Sequence, residues 1–451
     1  MLRPPLPLAL LLLAATTCSK GPPPTRDVDI LLCVVDTLRA DRLGCYGYDR
    51  ATSPTIDALA ARGVRAADCT AQSSWTGPSM VSMMLSRHVA DDFVRMPGLP
   101  TLAERLQALG WSTAAIQSNV LLEPGSEFER GFDEYEMEPD PDVYRALVGR
   151  KVDRPRFVYL HLTNPHDPYD PAAAYDVFPP RPVEPSLLEG FREVIAAAHP
   201  DRPKAWAKRA ALEASNVVAT ERAKYDGEVR MADAILATTL EMLPRPEKTI
   251  VIVAADHGEC LYEHREARGA VRPEDEGNPL VVYKRTHNTL LTQELVHVPL
   301  ILAGPGVPAG VVLDAPVENV DLVPTLLELI GAPPSPDDDG ASLVPAFADP
   351  AGTRGKDFVF SNTTTFSAVR ARGGAKLVVP WAEDGPDRPV LFDLANDPHE
   401  RAPLPTTGDD AVALRRVLDR FRAEALKADA AEDVIDEAVR RRMEELGYLG
   451  R

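Results

Sequence analysis

The chain is predicted to fold as an α/β protein, a mostly parallel sheet flanked by helices, with a smaller antiparallel-sheet subdomain toward its C-terminus. Continuous apolar, β-branched runs recur at Ile30–Val35, Ser112–Ile116, Phe157–Leu162, Thr249–Ala255 and Pro299–Ala303. Runs without polar alternation mark strands covered on both faces. Helical spacings separate them at Thr55–Ala61, Thr101–Leu109, Tyr225–Leu243 and Leu322–Ile330, and strands alternating with helices build parallel sheets. The character changes after about residue 335, where the turn-rich Pro333–Gly340 leads to short strand candidates at Phe358–Ser361, Ala368–Arg370, Lys376–Val379 and Val390–Asp393. The stretch Asp409–Leu446 then reads as a charged amphipathic helix.

At 451 residues, 45% of them hydrophobic, the chain is long and apolar enough for one large or two modest cores. A net charge of −19 with no basic stripe excludes nucleic acid as a partner and otherwise reads as solubility. The expected organisation is a leader over residues 1–18, a tether over 19–27, a catalytic domain over 28–335 and a C-terminal subdomain with helical tail over 336–451. Arg3 followed by the apolar Leu6–Ala15 has the layout of a secretory signal, and the apolar run is too short to span a bilayer. Cys18-Ser19 looks like a bacterial lipoprotein attachment site, although Thr17 and Ala15 stand where Gly or Ala and Leu are usual. The expectation is therefore an exported chain, lipid-anchored at Cys18 or else periplasmic or secreted, with the prolines of Gly21–Thr25 as a stiff tether. Cys33, Cys45, Cys69 and Cys260 fit no zinc spacing, and Cys33 reads as a packed thiol inside a strand.

Chemistry concentrates where strands end. Asp36 closes the first run, and Asp256-His257-Gly258-Glu259 follows the run from Thr249. The carboxyl edge of an open α/β sheet is where ligands bind, and carboxylates with imidazole suit a divalent cation. A lone strand-end Asp more often caps a helix, so Asp36 alone carries little. Thr76, in Trp75-Thr76-Gly77-Pro78-Ser79, is a hydroxyl before an apolar helical stretch, with Ser79 as the expected cap of a helix over Met80–Leu85. A hydroxyl beside a metal can become a nucleophile; in isolation Thr76 or Ser79 reads first as a helix cap. His161, His166 and His287 are acid–base candidates, the first two at the end of the run from Phe157. Residues 171–222 are expected as loop plus helix, and Leu261–Thr286 as a polar loop that shapes access.

Several ordered motifs carry a resemblance. They are Val35-Asp36 through Asp41 to Gly44-Cys45-Tyr46-Gly47, Ser53-Pro54-Thr55-Ile56-Asp57, Thr76-Gly77-Pro78-Ser79 and Asn164-Pro165-His166-Asp167-Pro168-Tyr169. Tyr225-Asp226-Gly227-Glu228, Asp256 to Glu259, His287 to Leu300, Asp321 to Thr325, and Leu391 to Leu394 with Asp397-Pro398 complete the set. With them the chain resembles the sulfatase family of the alkaline phosphatase superfamily, from about residue 28 onward. The resemblance implies an alkaline-phosphatase-like fold and one divalent metal on Asp36, Asp256 and His257. It implies Thr76 at the nucleophile position, and His166 and His287 as substrate-oxyanion or leaving-group residues. Thr37 stands where many relatives have a second metal-binding carboxylate.

Position 76 departs from the family pattern. Sulfatases carry Cys or Ser there, before x-Pro-x-Arg, converted to formylglycine; Thr76 cannot form that aldehyde, and Met80 replaces the Arg. The expected activity is metal-dependent hydrolysis of phosphate, phosphonate or sulfate esters with a threonine nucleophile and no formylglycine. Manganese or zinc is favoured, with calcium as the alternative. The expected substrate is a small anionic ester such as a glycan or lipid headgroup. A headgroup phosphotransferase and a non-catalytic binder of such groups are the alternatives.

Overall fold

The computed structural model describes residues 27–89, 98–264, 278–283, 287, 290–350, 355–382 and 388–424. The leader, Cys18, most of the tether, most of the loop from Leu261 to Thr286 and the tail beyond Glu424 lie outside these residues.

The strands are β1 (Asp29–Val35), β2 (Val64–Ala66), β3 (Cys69–Thr70), β4 (Ser112–Gln117), β5 (Glu134–Met137), β6 (Arg156–Leu162), β7 (Thr249–Ala254), β8 (His297–Val298), β9 (Leu300–Ala303), β10 (Val311–Leu313) and β11 (Val317–Glu318). Four more, β12 (Phe358–Asn362), β13 (Phe366–Ala371), β14 (Ala375–Pro380) and β15 (Val390–Asp393), follow toward the C-terminus. The helices are α1 (Pro54–Ala61), α2 (Thr76–Leu85), α3 (Leu102–Ala108), α4 (Pro141–Val148), α5 (Pro185–Ala198), α6 (Lys204–Met242), α7 (Pro279–Val282), α8 (Gln293–Val296), α9 (Leu322–Leu329) and α10 (Asp409–Glu424).

Eight strands form one sheet in the order β10-β2-β9-β7-β1-β6-β4-β5. Only β9 runs against its neighbours β2 and β7, and the other pairs are parallel. Every residue of β1, β6 and β7 is buried, because helices cover both faces of the centre of the sheet. This explains why those strands read as unbroken apolar runs. Five expected strands and the four C-terminal ones are present within two residues of their expected bounds. No helix among the described residues is long and apolar enough to cross a membrane, and Cys33, Cys45, Cys69 and Cys260 are all free thiols.

Two expectations are corrected. The helix expected from Tyr225 begins at Lys204 and runs 39 residues as α6. It pairs with α5 around a small core of Leu187, Phe191, Ile195, Ala207, Ala211 and Val218, so much of 171–222 is a helical hairpin. The helix after Thr76 begins at Thr76 itself, with Trp75 as its extended N-cap residue. Ser79 is therefore not its cap: its hydroxyl turns back, donating to Ser73 O at 2.9 Å and accepting from Ser73 N at 3.2 Å.

The C-terminal sheet, β12-β13-β14-β15, is antiparallel throughout. Its face packs on α10 through Val369, Leu377, Leu414 and Leu418, with Phe360 and Phe421 stacked at 4.0 Å. Ser361 Oγ donates to Ala71 O at 2.6 Å and Asn362 N to Gln72 O at 2.7 Å, so the subdomain extends the strand that leads into Thr76. Leu343 still belongs to the main core.

Candidate active site

Asp36 follows the last residue of β1, its N–H donating to Leu162 O at 2.8 Å as the parallel ladder with β6 runs out. Asp256 and His257 stand two and three residues beyond β7, paired with β1 on its other side. Parallel neighbours end at one edge, so residues 220 apart in sequence meet there. Thr76 enters from above as the first residue of α2. All four are buried, at most 1% exposed.

The contacts draw these groups around one point. His257 Nε2 lies 3.4 Å from Thr76 Oγ1 and 3.5 Å from both Asp36 Oδ1 and Asp256 Oδ2. The other ring nitrogen, Nδ1, lies 2.8 Å from Gly258 O. A carbonyl can only accept, so Nδ1 carries the proton and a neutral His257 turns a bare lone pair toward two carboxylate oxygens. The ring is neutral: burial, reinforced by His287, pushes its pKa down to about 3. Asp36 Oδ1 and Asp256 Oδ2 are buried without a hydrogen-bond partner. Two carboxylate oxygens lie 3.5 Å from one imidazole nitrogen, and a donor set of carboxylate and imidazole is one that could hold a divalent metal.

The carboxylates are not equivalent. Burial raises the proton affinity of both. Asp36 is nonetheless held below the usual carboxylate range by the hydrogen bond from His161 and by His166 and His257. Asp256 is pushed well up by burial and by the Asp36 charge beside it. Its Oδ1 accepts from His257 N at 2.9 Å and from Thr37 N at 3.4 Å.

His166 and His287 lie beside these groups. The His287 ring lies 4.8 Å from the His257 ring and 4.9 Å from the His166 ring. His287 Nδ1 is 3.3 Å from both oxygens of Glu259. Burial alone would lower the His287 pKa, but the Glu259 carboxylate raises it above the ordinary histidine value. His166 Nδ1 lies 2.7 Å from Asp167 O. The structure thus brings Asp36, Thr76, His166, Asp256, His257 and His287 into one cluster. Thr37 and Asp41 face elsewhere: the Thr37 hydroxyl donates to Asp36 O at 2.7 Å, and Asp41 forms a fork with Arg39 at 2.8 and 2.7 Å.

His161, an acid–base candidate from sequence, and Asn119, which the sequence reading did not pick out, both lie against Asp36. His161 Nε2 lies 3.4 Å from Asp36 Oδ2, and its Nδ1 lies 2.6 Å from the Tyr159 hydroxyl. Asp36, His161 and Asp256 each offer a ligand atom within 4.8 Å of the others. His161 thus belongs to the same buried set as the two carboxylates, with its Nδ1 tied to Tyr159. Asn119, two residues past β4, donates to Asp36 Oδ2 at 2.7 Å and to Thr76 Oγ1 at 3.3 Å. The strand-edge rule that picks out Asp36 could have found Asn119, but an Asn in a turn carries no distinguishing signal.

Comparison with known proteins gives this geometry a family context. A family model described as Sulfatase matches residues 29–139 and 140–332. Arylsulfatase K of Mus musculus is 29% identical over 205 residues, 42% of this chain and 34% of that protein; the matched stretch thus spans about a third of that relative. A structure solved with its substrate D-glucosamine-2-N,6-O-disulfate superposes with a TM-score of 0.65 at 17% identity, covering 89% of this chain and 99% of the other. The phosphonate monoester hydrolase of Agrobacterium radiobacter superposes with a TM-score of 0.65 at 17% identity, covering 91% and 98%. At such identity the structural likeness speaks for the fold.

Proposed function

The chain belongs to the sulfatase family, and on that premise we propose that it is a metal-dependent esterase whose nucleophile is the Thr76 hydroxyl. One observation carries this reading: Thr76 Oγ1 sits at the N-terminus of α2, hydrogen-bonded by Asn119 and 3.4 Å from the bare nitrogen of His257. A divalent cation held by Asp36, Asp256 and His257 would lower the pKa of that hydroxyl and stabilise the non-bridging oxygens of the substrate. Manganese or zinc suits this donor set, with calcium the alternative.

The chain's own residues account for the remaining work. Asn119 fixes the Thr76 oxygen and Asp36 together, so the nucleophile is oriented before substrate arrives. The polarised N–H groups opening α2 favour an anionic ester there. Thr76 Oγ, its proton released to solvent as the cation lowers its pKa, attacks phosphorus or sulfur in line. His287, whose proton affinity Glu259 raises, or His166 beside it, is placed to donate a proton to the departing oxygen. Water or an acceptor alcohol then resolves the Thr76 ester.

The substrate class follows from position 76. Threonine gives no formylglycine, which favours phosphate or phosphonate esters over sulfates. The family supports a small anionic ester, with glycan or lipid headgroups as carriers. Residues 28–335 would hold the chemistry and 336–451 would close it from one side. Export and a lipid anchor at Cys18 complete the proposal on sequence grounds alone, and would put the substrate at the cell envelope.

The test is turnover of a bis-aryl phosphate, an aryl phosphonate monoester and an aryl sulfate with manganese, zinc or calcium, beside Thr76→Ala. Phosphoester turnover should fall on the order of 10³-fold or more in the variant. Sulfate turnover surviving Thr76→Ala would sink the threonine mechanism. Silence with every metal would favour a narrow phosphotransferase or a binder.

A further inference from the structure

Tyr225-Asp226-Gly227-Glu228 takes no part in the reaction above, yet it lies on the buried side of α6, with Tyr225 and Asp226 fully buried and Glu228 4% exposed. Asp226 accepts from Arg50 at 2.7 Å and from the Tyr48 hydroxyl at 2.6 Å. Glu228 accepts from Asp170 N at 2.9 Å and from Asn164, both on the loop that carries His166. Tyr225 reaches the turn that follows Asp36. Its hydroxyl donates to Thr37 O at 2.7 Å and accepts from Arg39 N at 3.1 Å.

Thr37 needs such a clamp. Its φ is 55°, in the left-handed region that a β-branched residue rarely enters, and such a conformation persists only where its surroundings over-determine it. The turn has a consequence for the site, because it aims the Thr37 N–H at Asp256 Oδ1, 3.4 Å away, and carries the chain off β1 with the Asp36 carboxylate left facing His257. We propose that Tyr225 is a positioning residue, whose phenol holds the strained Thr37 turn and thereby sets Asp36 and Asp256 as a pre-formed cation site. The proposal rests on the reading of Asp36 and Asp256 as metal ligands. The Tyr225 ring packs edge-on against Tyr169 at 5.5 Å, so phenylalanine keeps the packing and removes only the hydroxyl.

The experiment titrates the full chain with manganese alone by calorimetry, for wild type, Tyr225→Phe, Thr37→Gly, the double variant and Asp36→Asn. Thermal unfolding in chelator serves as the fold check. Tyr225→Phe should weaken manganese binding roughly 10- to 100-fold. With glycine at position 37, which enters the left-handed region without strain, the same deletion should cost less than about 3-fold. A packing role would not produce that rescue. Wild-type affinity in Tyr225→Phe, or an equal loss with and without the glycine, overturns the proposal and leaves the metal site standing. An affinity indifferent to Asp36→Asn, or no binding by wild type, overturns the metal site and the proposal with it. If Tyr225→Phe alone does not fold, the double variant decides. Affinity close to that of Thr37→Gly supports the clamp, and a tenfold deficit or a failure to fold overturns it.

Discussion

Asn119 Nδ2 donates to Asp36 Oδ2 at 2.7 Å, which leaves Oδ1 as the oxygen that Asp36 turns toward His257 Nε2, 3.5 Å away. One neutral side chain thus decides which face of the carboxylate is offered to a cation.

Replacing Asn119 by Ala should release both Asp36 and Thr76. Groups that orient a metal ligand typically contribute 10- to 100-fold in metal affinity or activity. We expect kcat/KM for the aryl phosphonate to fall by about that factor, with the melting temperature in chelator nearly unchanged. Steady-state kinetics beside a thermal melt checks both halves.

Gly258 has no room for a side chain. A Cβ there would lie 2.0 Å from Glu294 O, and the Gly258 N–H already donates to Leu295 O at 2.7 Å. Gly258→Ala must push the loop that begins at His257 off the Glu294–Leu295 backbone. Turnover should fall further than with Asn119→Ala, and the variant should also unfold earlier on heating.

Lys376 and Glu400 form a buried pair at 2.8 Å, at 2% and 1% side-chain exposure. Lys376 also donates to Leu291 O, and Glu400 accepts from Gln293 N at 2.5 Å. Lys376→Met leaves the Glu400 charge buried without its partner, a change that typically costs about 3–5 kcal/mol. Urea unfolding should show the loss as a lower midpoint at unchanged slope. A midpoint equal to wild type would mean that the pair is not closed in solution.

The pH dependence of stability should have a component from His264 and Glu294, which lie 2.9 Å apart. Burial lowers the His264 pKa, but Glu294 outweighs it and raises the net value above the ordinary one. Burial raises that of Glu294, but His264, His399 and Arg39 hold it well below the carboxylate range. A raised histidine contributes stability in full below about pH 6.5 and loses it as pH climbs through the raised value. A depressed glutamate contributes above about pH 4.3 and loses it as pH falls. The melting temperature should therefore decline on the alkaline side of pH 6.5, and His264→Gln should remove that part of the decline. A parallel pH curve in the variant would contradict the assignment.

Much of the fold and site was legible because the central strands are unambiguous. β1, β6 and β7 are continuous apolar runs, so Asp36, Asp256 and His257 stand out at their ends. Family motifs added Thr76, His166 and His287. His161 was harder to place, since it lies inside β6 and a buried histidine within a strand reads as structural. Asn119 has the residue type of any turn. The first half of α6 hid because Lys204–Glu221 is rich in Ala, Lys, Arg and Glu with a narrow apolar stripe, which suits a helical hairpin more than a core helix. Two-residue strands such as Cys69–Thr70 and His297–Val298 are too short for any period to register. Ser79 failed as a cap because the helix starts three residues earlier, at Thr76 itself.

The most direct test of the account is the mass of the peptide containing Thr76 after acid quenching during turnover of an aryl phosphonate monoester with manganese. If Thr76 is the nucleophile, its peptide is unmodified before substrate, carries an added phosphonyl group on Thr76 during turnover, and shows no such adduct in His257→Ala or in Thr76→Ala. Steady turnover with Thr76 never carrying the adduct, and persisting in Thr76→Ala, would contradict it.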